Sequence, residues 1–412
     1  MTRSLLVAAL VVAIPTGAAA QEVEPDKWKV VTSGFVQGDW VVSRQTSQNE
    51  IDQNGQPLNQ DRFLLRRGHL RADIERGIVV GALEIDANTV NGPQVRPIDA
   101  EASVRWPPKN GASTWAMATI GLFKTPFGFE VLEADNVRPF LERATIVRAL
   151  FPGEFDLGAR LMGGWRFLDW KLGLMNGDPI GERAFPGRDP NASKDIVGRL
   201  GIDARPTERV RVLAGFSWVT GMGLHKGTPS TKDVLVWRDA NLNGIVDPTE
   251  IQVIPGSAAT PSRNFRRTAI GGDLRVLIDV PYLGELALRG EIVWATNLDR
   301  GVQPSDPVAV GHDQRQRGWY VGFTQMLGAH AQVGVRYDRY EPDADAASQV
   351  AGTLVPTSSK YSTLALMAAA RAKGGRLILE YDKNTNPLGR GTNGLPTTLA
   401  DDTVTLRAEV SF

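Results

Sequence analysis

From Thr403 to Phe412 the chain alternates without a break: Val404, Leu406, Ala408, Val410 and Phe412 take one parity, Thr405, Arg407, Glu409 and Ser411 the other. Strand side chains point alternately to opposite faces, so the segment predicts a β-strand with one apolar and one polar face. At about 10 residues it is long enough to cross a bilayer when tilted. A soluble sandwich strand has the same period, so recurrence must decide. The period recurs. Ala100, Ala102, Val104 and Trp106 oppose Asp99, Glu101, Ser103 and Arg105; Ile196, Leu200 and Ile202 oppose Asp195, Arg199 and Asp203; Leu286, Leu288, Ile292 and Trp294 oppose Arg289 and Glu291. A helix would space these charges by three and four.

Counting such runs predicts about sixteen strands, an even number as single-chain bacterial barrels require. They start at about residues 30, 62, 78, 97, 113, 156, 169, 194, 209, 266, 284, 316, 330, 359, 374 and 402. Tight turns are expected at Glu75–Gly77, Pro107–Gly111, Arg205–Glu208, Asp279–Gly284, Gly328–Ala329 and Lys373–Gly375. Long polar loops are expected over roughly 45–61, 125–155, 177–193, 223–265, 298–315, 341–358 and 385–401. The fold class expected is all-β: a transmembrane antiparallel β-barrel with periplasmic turns and external loops, its last strand pairing with its first so that no edge stays open.

At the other end, Arg3, the apolar stretch Leu5–Ile14 and Ala18-Ala19-Ala20 before Gln21 predict a signal peptide over 1–20. The expected destination is the bacterial outer membrane, with 21–412 a single barrel domain in contact with its lipid. No other segment offers the run of about 18 apolar residues that a spanning helix needs. The chain holds 46 basic and 46 acidic residues and no cysteine. That balance excludes a polybasic nucleic-acid binder, and the missing cysteine excludes disulfide and thiol chemistry.

A barrel of this width leaves an aqueous channel, so transport is the expected function. The inward faces carry Arg67, Arg71, Arg105, Arg160 and Arg199, with Arg275, Arg289, Arg336, Arg371 and Arg407 further along, against a similar number of acids. Arg71/Asp73, Arg289/Glu291, Arg336/Asp338 and Arg407/Glu409 sit two apart on one face, which favours a salt-bridged lining over a dedicated ion ladder. Loop 125–155 carries Val131, Leu132, Val137, Phe140, Leu141, Ile146, Val147, Leu150 and Phe151, too apolar for an exposed loop. Folding inward would bury them and leave Lys124, Glu130, Glu133, Asp135, Arg138, Glu142, Arg143 and Arg148 at a constriction. Packing on the rim or at a subunit contact is the alternative.

In loop 223–265, Asp239 to Glu250 matches the calcium-loop spacing D-x-[DN]-x-[DN]-G-x5-E. Asp239, Asn241, Asn243, Asp247 and Glu250 would supply side-chain oxygens and Ile245 its carbonyl. The bland reading is an Asn/Gly-rich hairpin tip. No other cofactor is expected. The four histidines, His69, His225, His312 and His330, are scattered and predict neither a catalytic triad nor a metal centre, so an enzyme is not expected.

Lys124-Thr125-Pro126-Phe127-Gly128-Phe129-Glu130, Phe140-Leu141-Glu142-Arg143 and Phe151 to Leu161 resemble the third-loop region of the phosphate-selective porin O and P family. The resemblance implies a homotrimeric outer-membrane porin with an infolded third loop and phosphate held by basic residues at the constriction. Here Glu130, Glu133, Asp135 and Glu142 are interspersed among those basic residues, and no run of lysines occurs. The terminal Phe412 also resembles the signature by which barrel assembly machinery recognises its clients. The expected activity is passive diffusion of small hydrophilic solutes, anionic or neutral and anions such as phosphate before cations. A receptor or adhesin barrel with calcium-stiffened loops is the competing reading, and a barrel lipase the third.

Overall fold

The computed structural model describes residues 27–43, 61–106, 115–179, 191–350, 352–356, 359–390 and 396–412; the expected signal peptide and the turn at 107–111 lie outside them. Sixteen antiparallel strands close into a barrel. They are β1 (Lys29–Ser43), β2 (Asp61–Arg76), β3 (Val79–Asn88), β4 (Gln94–Trp106), β5 (Ala116–Lys124), β6 (Phe155–Trp165), β7 (Leu168–Met175), β8 (Asp195–Thr207) and β9 (Val210–His225). After the hairpin β10 (Val234–Trp237) and β11 (Ile251–Ile254), the wall resumes with β12 (Arg263–Val280), β13 (Gly284–Thr296), β14 (Arg315–Leu327) and β15 (Ala331–Glu341). The hairpin β16 (Ala347–Val350) and β17 (Thr353–Pro356) precedes β18 (Tyr361–Ala372) and β19 (Gly375–Thr385). The short pair β20 (Gly389–Arg390) and β21 (Pro396–Thr397) precedes the closing strand β22 (Thr403–Ser411). Each wall strand begins within three residues of the position its alternation predicts. The three hairpins lie inside segments that the sequence predicts only as polar loops.

Alternation produces the two faces. Leu70, Leu83, Ile120, Leu161, Leu200, Phe216, Ile270, Leu288, Val321, Leu366 and Leu379 are exposed on the outside, where hydrocarbon rather than water suits them. Trp106, Trp115 and Trp165 lie near the short-turn rim, and Trp40, Trp294 and Trp319 near the long-loop rim. Aromatic rings at both ends of an apolar band are the girdles of a membrane barrel.

Two departures from alternation shape the pore side. Between Gln37 and Gly38 the β1/β2 register shifts by one, with Gln37 opposite Arg67 and Gly38 opposite Leu65. The extra residue, Arg66, then shares the inner face with Arg67. A second shift, between Glu84 and Ile85, leaves Ile98 of β4 without a partner on β3, and Ile98 is buried.

The seam joins β1 to β22, from Phe35 opposite Ser411 to Ser43 opposite Thr403. Arg407 clamps Asp39 across it through two hydrogen bonds of 2.7 Å. Gly34 exchanges backbone hydrogen bonds with Phe412, and a side chain on Gly34 would collide with the Phe412 ring and the His69 carbonyl. Gly34→Val should therefore destabilise the closed barrel by about 1–3 kcal/mol, seen as a lower temperature for loss of the folded, fast-migrating band in semi-native electrophoresis.

Candidate functional site: the third loop and the pore wall

Residues 125–154, between β5 and β6, form the third loop, and it lies within the barrel. Phe127, Val131, Ile146, Val147, Leu150 and Phe151 are buried against Met175, Val197, Val219, Ala269, Val293, Tyr320 and Tyr340 of the wall. Phe140 and Leu141 bury themselves against Ala365, Met367, Ala369 and Ile378 of β18 and β19. A barrel this wide cannot fill its interior from its own wall, so the loop acts as its core. Val137 departs from the expectation: it is 61% exposed. A short helix, α1 (Thr145–Leu150), lies against β14, β15 and β18 with only Arg148 exposed. The α1 carbonyl of Ala149 accepts hydrogen bonds from the backbone of Arg300 and Gly301, so an outer loop pins the helix from above.

Polar contacts fix the rest. The Glu291 carboxylate accepts from the amides of Phe129 (2.9 Å) and Glu130 (2.6 Å) and from the Tyr320 hydroxyl (3.2 Å). Gly128 has φ +59°, and a Cβ there would strike Glu291; glycine is the residue that tolerates both. Glu130 accepts from the Ala144 amide at 2.9 Å and pairs with Arg336 at 3.4 Å. Glu133 pairs with Arg289 at 3.2 Å and Arg275 at 3.5 Å. Glu142 receives Arg66 at 2.8 and 2.9 Å. Burial alone would raise the Glu142 carboxyl, yet Arg66, Arg67 and Arg407 hold it well below the usual carboxylate range.

The expected constriction residues therefore do different things. Glu130, Glu133 and Glu142 anchor the loop to the wall. Lys124 donates to the Glu133 carbonyl at 2.7 Å. Arg138 is enclosed beside Asp135, and Arg143 pairs with Glu154 and with Asp135 at 3.3 Å. Burial with Arg143 and Arg67 nearby pushes the Arg138 guanidinium well below its ordinary range. An arginine so enclosed supports the loop and does not face a passing solute. Arg148 alone of the loop's basic residues stands in the open.

The wall arginines are matched too. Arg67 lies 3.5 Å from Asp135. Arg71 meets Asp73 (2.9 Å), Glu84 (3.1 Å) and Asp99 (2.7 Å). Arg160 meets Glu101 at 3.0 Å, Arg105 pairs with Glu75, and Arg199 grips Asp273. Of the four same-face pairs expected, Arg71/Asp73 closes tightly, whereas Arg336 stands 3.8 Å from Asp338. The other two exchange partners: Arg289 turns to Glu133, Arg407 to Asp39 and Glu409 to Arg376 (2.8 Å).

Two site residues lie beyond those the sequence singles out: Arg66, which has lipid-facing parity and is brought inward by the bulge, and Arg376, which shares the inward parity of Glu380 and Asp382 at the start of β19. Arg376 donates to the Arg138 carbonyl at 2.8 Å.

The calcium-type segment forms the tip of the β10/β11 hairpin. Asp239 accepts from the amides of Asn243 (3.1 Å) and Gly244 (2.8 Å). Glu250 accepts from Trp237 Nε1 (3.0 Å) and the Ala240 amide (3.0 Å), bonds that hold its carboxyl below the usual range. The donor set is all oxygen, as a hard cation requires. In this arrangement Glu250 faces Trp237 rather than joining Asp239 and Asp247, and no cluster of three His, Cys, Asp or Glu with metal-holding geometry occurs among the described residues.

Replacing Glu291 by Ala would leave two loop amides without their acceptor. Their hydrogen exchange should accelerate about ten- to a hundredfold, the effect of losing about 1–3 kcal/mol, as read by mass spectrometry on peptides covering Phe129 and Glu130.

No family model and no curated protein sequence matches the chain, so the resemblance to the phosphate-selective family gains no support at that level. Solved structures do match. The trimer form of the outer-membrane protein OmpT of Vibrio cholerae aligns at TM-score 0.55 and 11% identity over 94% of this chain and 100% of that one. An anion-selective porin from Comamonas acidovorans aligns equally, at 0.55 and 11% over 94% and 100%. The outer-membrane channel DcaP of Acinetobacter baumannii aligns at 0.54 and 12% over 93% and 97%. The fold is that of bacterial outer-membrane porins.

Proposed function

We propose that this chain is a porin of the bacterial outer membrane through which small hydrophilic solutes diffuse passively, with anions favoured over cations. The observation that carries the sign of selectivity is the depth of the paired charges. In three pairs near the third loop the basic side chain is the more exposed: Arg71 over Asp99 (30% against 9%), Arg96 over Asp86 (17% against 5%) and Arg67 over Asp135 (11% against 6%). A solute in water meets the guanidinium first, and the carboxylate lies behind it. Glu142 beside Arg66 (31% against 14%), Asp73 beside Arg71 (43% against 30%) and Glu101 beside Arg160 (14% against 9%) work the other way, so the preference is weak. Driving force comes from the solute gradient alone, and the protein's part is a wet passage with a biased wall.

Phosphate is one such anion. Arg138 and Arg143, the residues a phosphate site would most need, are committed within the third loop, so phosphate would meet Arg67, Arg71 and Lys124 instead. The homotrimer and the recognition of Phe412 by barrel assembly machinery belong to the same reading. The anion-selective Comamonas porin and the trimeric OmpT share the fold, so anion selectivity and a trimer are compatible with it.

In planar bilayers the purified protein should give stepwise ohmic conductance, with a reversal potential in a potassium chloride gradient of the sign for chloride. Arg71→Ala should move that potential toward zero, because it uncovers Asp99 and Glu84; a cation-selective wild type would refute the proposed sign. Phosphate should permeate without blocking chloride at low concentration, and a low-concentration block would instead indicate a dedicated phosphate site.

Calcium at the β10/β11 tip is a separate proposal, resting on the oxygen donors and the spacing from Asp239 to Glu250. Calorimetry on the intact barrel should give a dissociation constant of about 0.1–1 mM, lost in Asp239→Ala/Glu250→Ala. No calcium heat in the wild type would end that proposal.

A further inference from the structure

The third loop fills the lumen unevenly. Its apolar residues occupy the side lined by β7 to β9, β12 to β15, β18 and β19, while the sector along β2, β3 and β4 keeps two cavities. One, of about 60 Å³, lies toward the long-loop rim between Arg66, Arg67, Arg96 and the loop residues Gly153 and Glu154. The other, of about 370 Å³, lies toward the short-turn rim between Ser33, Arg71, Asp99, Lys124 and Asn136. Three residues line both cavities: His69, Asp135 and Phe155. They form the partition between an outer and an inner chamber stacked along one wall.

His69 is held in that partition from several sides. Its Nδ1 is 2.7 Å from Glu84 Oε1 and its Nε2 is 3.4 Å from Asp86 Oδ1. Its ring packs on Phe35, centroid to centroid 4.4 Å. Arg67 and Arg71 flank it on β2, two residues to either side. A ring hydrogen-bonded to Glu84, close to Asp86 and packed on Phe35 cannot swing aside without breaking a contact with a carboxylate.

We propose that solutes cross this barrel along the β2–β4 side only, passing from chamber to chamber at His69, and that His69 limits which solutes pass. The inference rests on the porin reading and relocates its constriction: Arg138 and Arg143 support the loop, whereas His69, Asp135 and Phe155, though only 7–8% exposed, line both chambers. A neck closed by one imidazole suits compact solutes, such as inorganic anions and short carboxylates, and excludes bulky sugars.

The chain has no cysteine, so single-cysteine variants can be labelled without background. In His69→Cys, the anionic reagent sulfonatoethyl methanethiosulfonate should lower single-channel conductance by at least about half, because the adduct occupies the proposed passage. Before labelling, the same variant should conduct at or above the wild-type level, since the ring is gone. Ala365→Cys, fully buried against the third loop on the far side, should be indifferent to the reagent, as should the wild type. Should His69→Cys fail to insert, Asn136→Cys, which lines the inner chamber, gives the same reading. Wild-type protein that folds but never conducts would overturn the porin reading and the path with it. A conducting channel that the reagent leaves unchanged in His69→Cys, or in Asn136→Cys where that variant is used, would overturn the path alone.

Discussion

A sixteen-stranded barrel is too wide for its wall to fill, and this one resolves the deficit by turning about thirty residues of loop inward. Burial of Phe127, Phe140, Ile146, Leu150 and Phe151 is the interaction on which the rest depends. Large apolar side chains contribute about 1.5–3 kcal/mol each on removal from water, and no lipid reaches them here. Once they dock, the loop's carboxylates are carried to fixed places on the wall. Glu130 reaches Arg336, Glu133 reaches Arg289 and Glu142 reaches Arg66. Apolar burial supplies the binding energy, and charge pairing supplies the register.

That pairing also explains why a lining rich in arginine need not act as a ladder. A guanidinium bound to a carboxylate presents a dipole to a passing ion, and its field is short-ranged in salt. Geometry at the scale of one side chain sets which charge stands nearer the water: Asp73 is more exposed than Arg71 beside it and Glu101 more than Arg160, whereas other pairs put the arginine outermost. Arg71 over Asp99 and Arg96 over Asp86 are instances.

The wall was legible because its rule is local. Alternation from Val30 onward places every barrel strand, and the apolar content of residues 125–155 signals a loop that must go inside. The site was legible only in outline, because its details are set between residues far apart in sequence. Arg66 has the parity of a lipid-facing residue until the bulge at Gln37/Gly38 brings it inward, and no local pattern marks that bulge. Arg138 and Arg143 look like a pair of pore cations, yet they are enclosed by Asp135 and Glu154. Val137 looks like a core residue, yet it is exposed while Arg138 beside it is buried. His69 is one of four scattered histidines in the sequence, and nothing local marks that it lies where the loop's coverage of the wall ends.

The seam has a consequence for how the molecule forms. Gln37 on β1 donates to Glu409 on β22 at 2.7 Å, across 372 residues of chain, about as non-local as a contact in this protein can be. Contacts of such separation are slow to form, because a long loop of chain must lose its freedom before they yield anything. Glu142 touches both sides of the same seam, through Arg66 and through Arg407. Barrel closure and loop docking are therefore coupled steps of assembly. A chain whose third loop has not settled lacks part of the clasp that brings its two ends together, so an unplugged barrel would also be a poorly closed one.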